Sequence, residues 1–176
     1  MKKNFLALAL LTMTAGAAMA ADGTITVFGE VVTQTCTVAA ADLNKVVYMP
    51  TVAQTALAAN GATAGDTPFS IALTSCPVGS SMSAHFLPGV TINNTTGNLI
   101  NQATAPAAGN VEVALYDSTG ATKINLAAAK GAQTSPAFVV PAGGATSLAY
   151  QAKYFATGVA STGKVQSTVD YNLSYF

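Results

Sequence analysis

The chain contains no arginine and no tryptophan, one histidine and two cysteines among its 176 residues. Only 8% of its residues are charged, seven lysines against seven acids. Each scarcity excludes something. Without a basic cluster there is no electrostatic footprint for a nucleic-acid partner. With one histidine, no Gly-x-Ser-x-Gly and no acid or cysteine pattern near His85, a serine triad lacks its base. With no Cys-x-x-Cys pair, a structural zinc site lacks its ligands. The acids Asp22, Glu30, Asp42, Asp66, Glu112, Asp117 and Asp170 are scattered, and no pair stands out as the two carboxylates of a glycosidase. The expectation is a protein that is not an enzyme, with no cofactor, no metal and no small-molecule substrate. A surface so poor in charge is weakly protected against association. It reads as a surface meant to be covered by neighbours.

What is present begins with an export signal. Lys2 and Lys3 precede an apolar run from Phe5 to Leu11, and Ala18-Met19-Ala20 is a small-x-small cleavage site. The run is shorter than the roughly 20 residues that span a bilayer. Residues 1–20 are therefore read as a signal peptide, against the alternative of a retained anchor. Cleavage leaves 156 residues, five lysines and seven acids, a net charge of −2. That length suits one domain. Cys36 and Cys76 both survive cleavage. In an oxidising compartment two cysteines read as one disulfide, with two buried thiols as the alternative.

Apolar segments are short, alternate with polar residues and stop at Gly, Pro, Asn or Asp. Strands are expected at Thr24 to Val32, Lys45 to Met49, Phe69 to Ser75, Val111 to Tyr116, Ala137 to Val140, Ser147 to Phe155 and Val165 to Tyr175. Asp117-Ser118-Thr119-Gly120 is turn chemistry. Thr51 to Ala59 and Asn125 to Lys130 are alanine-rich enough for a turn or two of helix. The pattern predicts an all-β sandwich or barrel.

Both ends of the mature chain are strands. The odd positions Gly23, Ile25, Val27, Gly29 and Val31 make one apolar face with glycine notches. Such a strand needs a hydrophobic slot on one side only. At the other end Val165, Val169, Tyr171, Leu173 and Tyr175 alternate towards Phe176. Two apolar-faced terminal strands are hazardous edges unless something pairs them.

At these residues the chain resembles the stem pilins of the chaperone–usher pathway, most closely the major subunit of type 1 fimbriae. Five features carry the likeness. They are the strand Thr24 to Val32, the placement of Cys36 and Cys76, and the stretch Tyr150-Gln151-Ala152-Lys153-Tyr154-Phe155-Ala156-Thr157-Gly158. The last two are Gly163, fourteenth from Phe176 counting both, and the penultimate Tyr175. The resemblance implies an incomplete immunoglobulin-like sandwich lacking its last strand. It divides the chain into a signal peptide (1–20), a donor-strand extension (21–30) and a pilin domain (31–176). It implies that Ile25, Val27, Gly29 and Val31 fill a groove in another subunit. Gly163, Val165, Val169, Tyr171, Leu173, Tyr175 and Phe176 would form the groove and the chaperone-recognition motif, with the carboxylate of Phe176 held by the chaperone. The implied partners are identical or related pilin subunits, a periplasmic chaperone and an outer-membrane usher. The implied location is a fimbria on the bacterial surface, supporting adhesion. A minor adaptor subunit or a carbohydrate-binding adhesin is the competing reading. Against the adhesin stand the short chain, the donor arm and the missing tryptophan.

Overall fold

A computed structural model describes residues 35–176 and the single residue Thr26. Two long strands form its centre. β2 (Thr63–Thr74) pairs antiparallel with β8 (Thr146–Ala156), placing Phe69 opposite Tyr150 and Ile71 opposite Leu148. β8 pairs on its other side with β6 (Val111–Asp117), placing Leu115 opposite Ala152. Side chains alternate across a strand, so these registers put Ile71, Leu73, Leu148, Tyr150, Ala152, Val113 and Leu115 on one buried face. β1 (Thr37–Val38) extends the sheet at one edge. The hairpin of β4 (Ile92–Asn93) and β5 (Asn98–Leu99) extends it at the other.

The second sheet has the order β7 (Phe138–Val139), β3 (Ser81–Phe86), β9 (Tyr171–Tyr175). Met82, Ala84 and Phe86 project from β3 into the core and are almost fully buried. Tyr150 is the hub between the sheets. Its ring meets those of Phe69, Phe86 and Phe138 at 5.7, 5.4 and 5.9 Å. Its hydroxyl accepts the Ala84 amide at 3.1 Å and lies 3.1 Å from the Ser135 hydroxyl. A smaller apolar cluster of Leu57, Ala108, Val111, Ala156 and Ala160 sits beside the main one.

The strands differ from expectation where sequence signals were misleading. Lys45 to Met49 is not a strand: the alternation is there, but no described strand offers it a ladder. β2 begins at Thr63, ahead of Pro68 and Gly65, both of which argue against a strand. Pro68 is tolerated because the edge of β2 opposite β8 has no partner at that position. Gly65 sits at a register shift with φ of 73°, and a Cβ there would meet the Tyr154 ring at 2.8 Å. β3, with the sequence Ser-Met-Ser-Ala-His-Phe, has no β-branched residue to announce it. Thr51 to Ala59 gives one short 3-10 turn, Gln54–Leu57, and Asn125 to Lys130 gives turns without helix.

The buried acid Glu112 explains the short hairpin. Its carboxylate accepts from the Asn93 amide at 2.6 Å, the Thr96 hydroxyl at 2.7 Å and the Asn98 amide at 2.9 Å. Lys123 completes the network through the Thr96 carbonyl and Asn98 Oδ1. Glu112 is thus occupied structurally.

Candidate functional site

The second sheet ends on β9: no described strand pairs with the edge of β9 away from β3. On the β3 side, Tyr175, Leu173 and Tyr171 lie opposite Met82, Ala84 and Phe86. The β3 residues are at most 2% exposed, while their β9 partners are only half-buried. The alternation continues upstream, where Val165 and Val169 also pack against the core. The five residues form one apolar row, and no described strand covers its outer flank.

A second wall faces this row. The Cys36 amide donates to the Tyr175 hydroxyl at 2.9 Å. The Tyr171 hydroxyl lies 3.4 Å from the Asp42 carbonyl, to which it donates. Thr51 and Val52 line a cavity of about 270 Å³ with Gly163 and Val165. Residues 36, 42 and 51–52 are thus matched to 175, 171 and 163–165, so the two segments run antiparallel. No ladder joins them, and residues 43–52 make no backbone hydrogen bond to any described residue. Two tyrosine hydroxyls join the two segments. Met49 and Val38 pack against the core. Val46 and Tyr48 point outward, 65% and 87% exposed. The expected strand at Lys45 to Met49 therefore runs beside the β9 segment with no ladder to any described residue.

Gly163 is required by close approach. Its φ is 156°, and a Cβ would overlap the Ala107 carbonyl carbon and the Ala108 amide nitrogen. There the Lys164 amide donates to the Pro106 carbonyl at 2.8 Å, and the Ala108 amide to the Lys164 carbonyl at 2.9 Å. Substituting Gly163→Ala should lower stability by about 2–3 kcal/mol, as overpacking against backbone does. Urea unfolding of the subunit checks this, and an unchanged midpoint would refute the close approach.

Asp42 anchors the second wall. It ends a 3-10 turn, Ala40–Asp42, just after β1. Its carboxylate accepts from Lys45 Nζ at 2.7 Å and from the Ala72 amide of β2 at 2.7 Å. The Lys45 hydrogen bond first, then the Ala72 amide, hold this carboxyl below the ordinary carboxylate range. A carboxyl depressed on folding adds stability above its unfolded value of about 4 and loses it as pH falls through the lower folded value. Asp66 beside Lys153, and Asp117 beside Thr119, shift the same way. Stability should therefore drop below about pH 4, and Asp42→Asn should remove part of that drop. Urea midpoints between neutral and strongly acid pH provide the check; superimposable acid limbs would exclude the assignment.

Cys36 and Cys76 form a disulfide, closing a separation of 40 residues between the start of β1 and the end of β2. Phe176 is 68% exposed, and its amide donates to the Ser81 carbonyl at 2.9 Å. His85 lies on the outer face of β3, away from the inward-facing row of β9. Ile25, Val27, Gly29 and Val31 lie outside the described residues.

The profile of the FimA family, type-1 fimbrial protein A, matches residues 49–176. The chain is 44% identical over 162 residues to the major fimbrial subunit SMF-1 of Stenotrophomonas maltophilia, covering 90% of this chain and 95% of that one. It is 38% identical over 179 residues to the F17 fimbrial protein of Escherichia coli, covering 99% and 98%. Its fold is similar to that of the P pilus rod subunit PapA, with a TM-score of 0.62 at 14% identity, covering 81% of this chain and 100% of that one. The all-β sandwich with its open β9 edge thus agrees with the pilin fold, and the chain belongs to the FimA family of type-1 fimbrial proteins, structural subunits of pili on the bacterial surface.

Proposed function

We propose that the slot between β9 and residues 43–52 is the seat of a strand donated by another protein, and that this exchange builds the fibre. The observation that carries the reading is the pair of antiparallel segments that share no ladder among the described residues and are joined through tyrosine hydroxyls. A strand lying between them would be parallel to one wall and antiparallel to the other. It would complete the backbone hydrogen bonds of both. Residues 21–30 of the next subunit suit this seat. Their apolar face places Ile25 and Val27 towards the floor, Val31 follows in the same register, and Gly29 allows close backbone approach. Each buried aliphatic side chain contributes about 1.5–3 kcal/mol.

Before polymerisation a periplasmic chaperone supplies the strand, docking along Gly163, Val165, Val169, Tyr171, Leu173, Tyr175 and Phe176. At the usher the next subunit's arm replaces it. This is β-strand addition, and because the contact is head-to-tail it generates an open filament. The subunit works by polymerising and not by catalysis, consistent with Asp42 and Glu112 being committed to structural hydrogen bonds.

A peptide of residues 21–32 tests the proposal. Added to the purified chaperone–subunit complex, it should displace the chaperone and leave a stable subunit–peptide complex. The same peptide with Val27→Asp should displace it at least about tenfold more slowly, since a buried unpaired charge opposes docking. Equal rates for the two peptides, or no displacement by either, would overturn it.

A further inference from the structure

A second site lies on the opposite face of the three-stranded sheet. Ser83 of β3 is directly opposite Ser174 of β9, and His85 is opposite Asn172. Alternation puts Phe176 on the same face as Ser174. The turns around Lys130 and Gln133 rim these residues, and together they line a half-open cavity of about 270 Å³. That is slightly below the roughly 300–1,000 Å³ of pockets for drug-sized ligands, and it suits one sugar ring.

Ser174, Ser83 and Lys130 at this cavity lack hydrogen-bond partners among the described residues. Ser174 is 4% exposed, and its hydroxyl is the one buried side-chain polar atom among the described residues with no hydrogen-bond partner. Ser83 is 5% exposed, and its hydroxyl also makes no hydrogen bond among the described residues. Lys45 is paired with Asp42, Lys153 with Asp66, and Lys123 is bound to Thr96 and Asn98. Lys130, at the rim, has no such partner among the described residues. Gln133 is not available, because its amide is saturated by the Phe86 backbone and the Leu126 and Ala128 carbonyls. No aspartate or glutamate lines the cavity. An exposed aromatic ring, Phe176, stands beside these donors.

The geometry points to a binding site for a carboxylated monosaccharide. The carboxylate pairs with Lys130, with His85 beside it. The ring hydroxyls meet Ser83 and Ser174, and the apolar face of the sugar lies on Phe176. The site shares Phe176 with the proposed chaperone-docking row but uses none of the inward-facing residues Val165, Val169, Tyr171, Leu173 and Tyr175, so fibres would carry it in every subunit.

Titration of purified fibres with glucuronic acid, followed by saturation-transfer NMR, tests this. Saturable binding with a dissociation constant on the order of 1 mM is expected. Glucose, which has the ring without the charge, and acetate, which has the charge without the ring, should each bind at least about tenfold more weakly. Lys130→Gln should lower affinity about tenfold with fibre morphology unchanged. Ser174→Ala should weaken binding while leaving the thermal midpoint unchanged or higher, because it removes a buried hydroxyl that has no partner. Absence of saturable binding, or binding unchanged in Lys130→Gln, would overturn the site. Acetate binding as tightly as glucuronic acid would overturn the sugar and leave only an anion.

Discussion

Deleting residues 21–30 from the mature chain should abolish its entry into fibres while leaving a folded, chaperone-bound subunit. The deleted chain keeps Cys36, β1 to β9 and both walls of the slot. It can therefore accept a strand but has none to give. On the donor-strand proposal it loses a strand's backbone hydrogen bonds together with two apolar anchors, Ile25 and Val27, and the lead-in that would bring Val31 to the floor. At about 1.5–3 kcal/mol for each side chain, the anchors alone amount to roughly 5 kcal/mol, more than a thousandfold in affinity. Fibre yield by electron microscopy should fall to background, and the periplasmic chaperone complex should accumulate. Joining residues 21–32 to the C-terminal end through a flexible linker should then yield a monomer that folds without chaperone. Normal fibres from the deleted chain would refute donor-strand assembly. A linked monomer that still needs chaperone would show that the slot is not where the arm binds.

The two edges of the three-stranded sheet support the same division of labour. On one side β3 is closed off. It pairs with β7 at Ser81 and Met82, its Ala84 amide donates to the Tyr150 hydroxyl, and Gln133 satisfies both the amide and the carbonyl of Phe86. Natural sheets protect edges in this way against stray pairing. On the other side β9 has no such closure among the described residues. A chain that caps one edge with three separate devices and leaves the other with a row of half-buried tyrosine and leucine is selecting where a strand may add.

Much of this was legible in the sequence because a half-buried strand writes its environment into alternation. Val111 to Tyr116 and Ser147 to Phe155 are β6 and β8 within a residue or two. The row from Val165 to Tyr175 could be named for the same reason, although the ladder of β9 starts only at Tyr171, whereas Gly163 could be named only from the family resemblance. Residues 164–168 bond instead to the loop at 100–108. What alternation cannot tell is whether a strand has a partner. Lys45 to Met49 carries the signal of a strand, and its lack of a ladder could be found only by placing it opposite β9. Nor could the sequence show β3, whose Ser, Ala and His positions look like a loop until Met82, Ala84 and Phe86 are seen to share the core. The pocket at Ser174 was equally hidden, since it depends on turns around Lys130 folding over a sheet face.

Replacing both Cys36 and Cys76 by serine should be the most damaging small change to the fold. The bond closes a separation of 40 residues. Under the chain-entropy account, opening such a loop frees the unfolded chain by about 4 kcal/mol. That is a large share of the 5–15 kcal/mol that typically holds a domain together. The position makes the loss worse. β1 is two residues long and pairs with the sheet at Thr37–Thr74 and Val38–Leu73. The disulfide is the covalent hold on that edge, and the Cys36 amide is also the donor to Tyr175 across the slot. Without it, β1 and the Asp42 turn should detach from β2 first, and the slot should lose the wall that faces β9. The double variant should therefore show two defects. Its urea midpoint should fall in line with about 4 kcal/mol, and its capture of the arm peptide should weaken by more than stability alone predicts. A variant of equal instability from the far side of the core, Leu126→Ala, separates the two effects, because Leu126 is buried in the main core away from β1. If both variants capture the peptide equally well, the disulfide only stabilises the fold; if the cysteine variant is the poorer, the disulfide also holds the slot in shape.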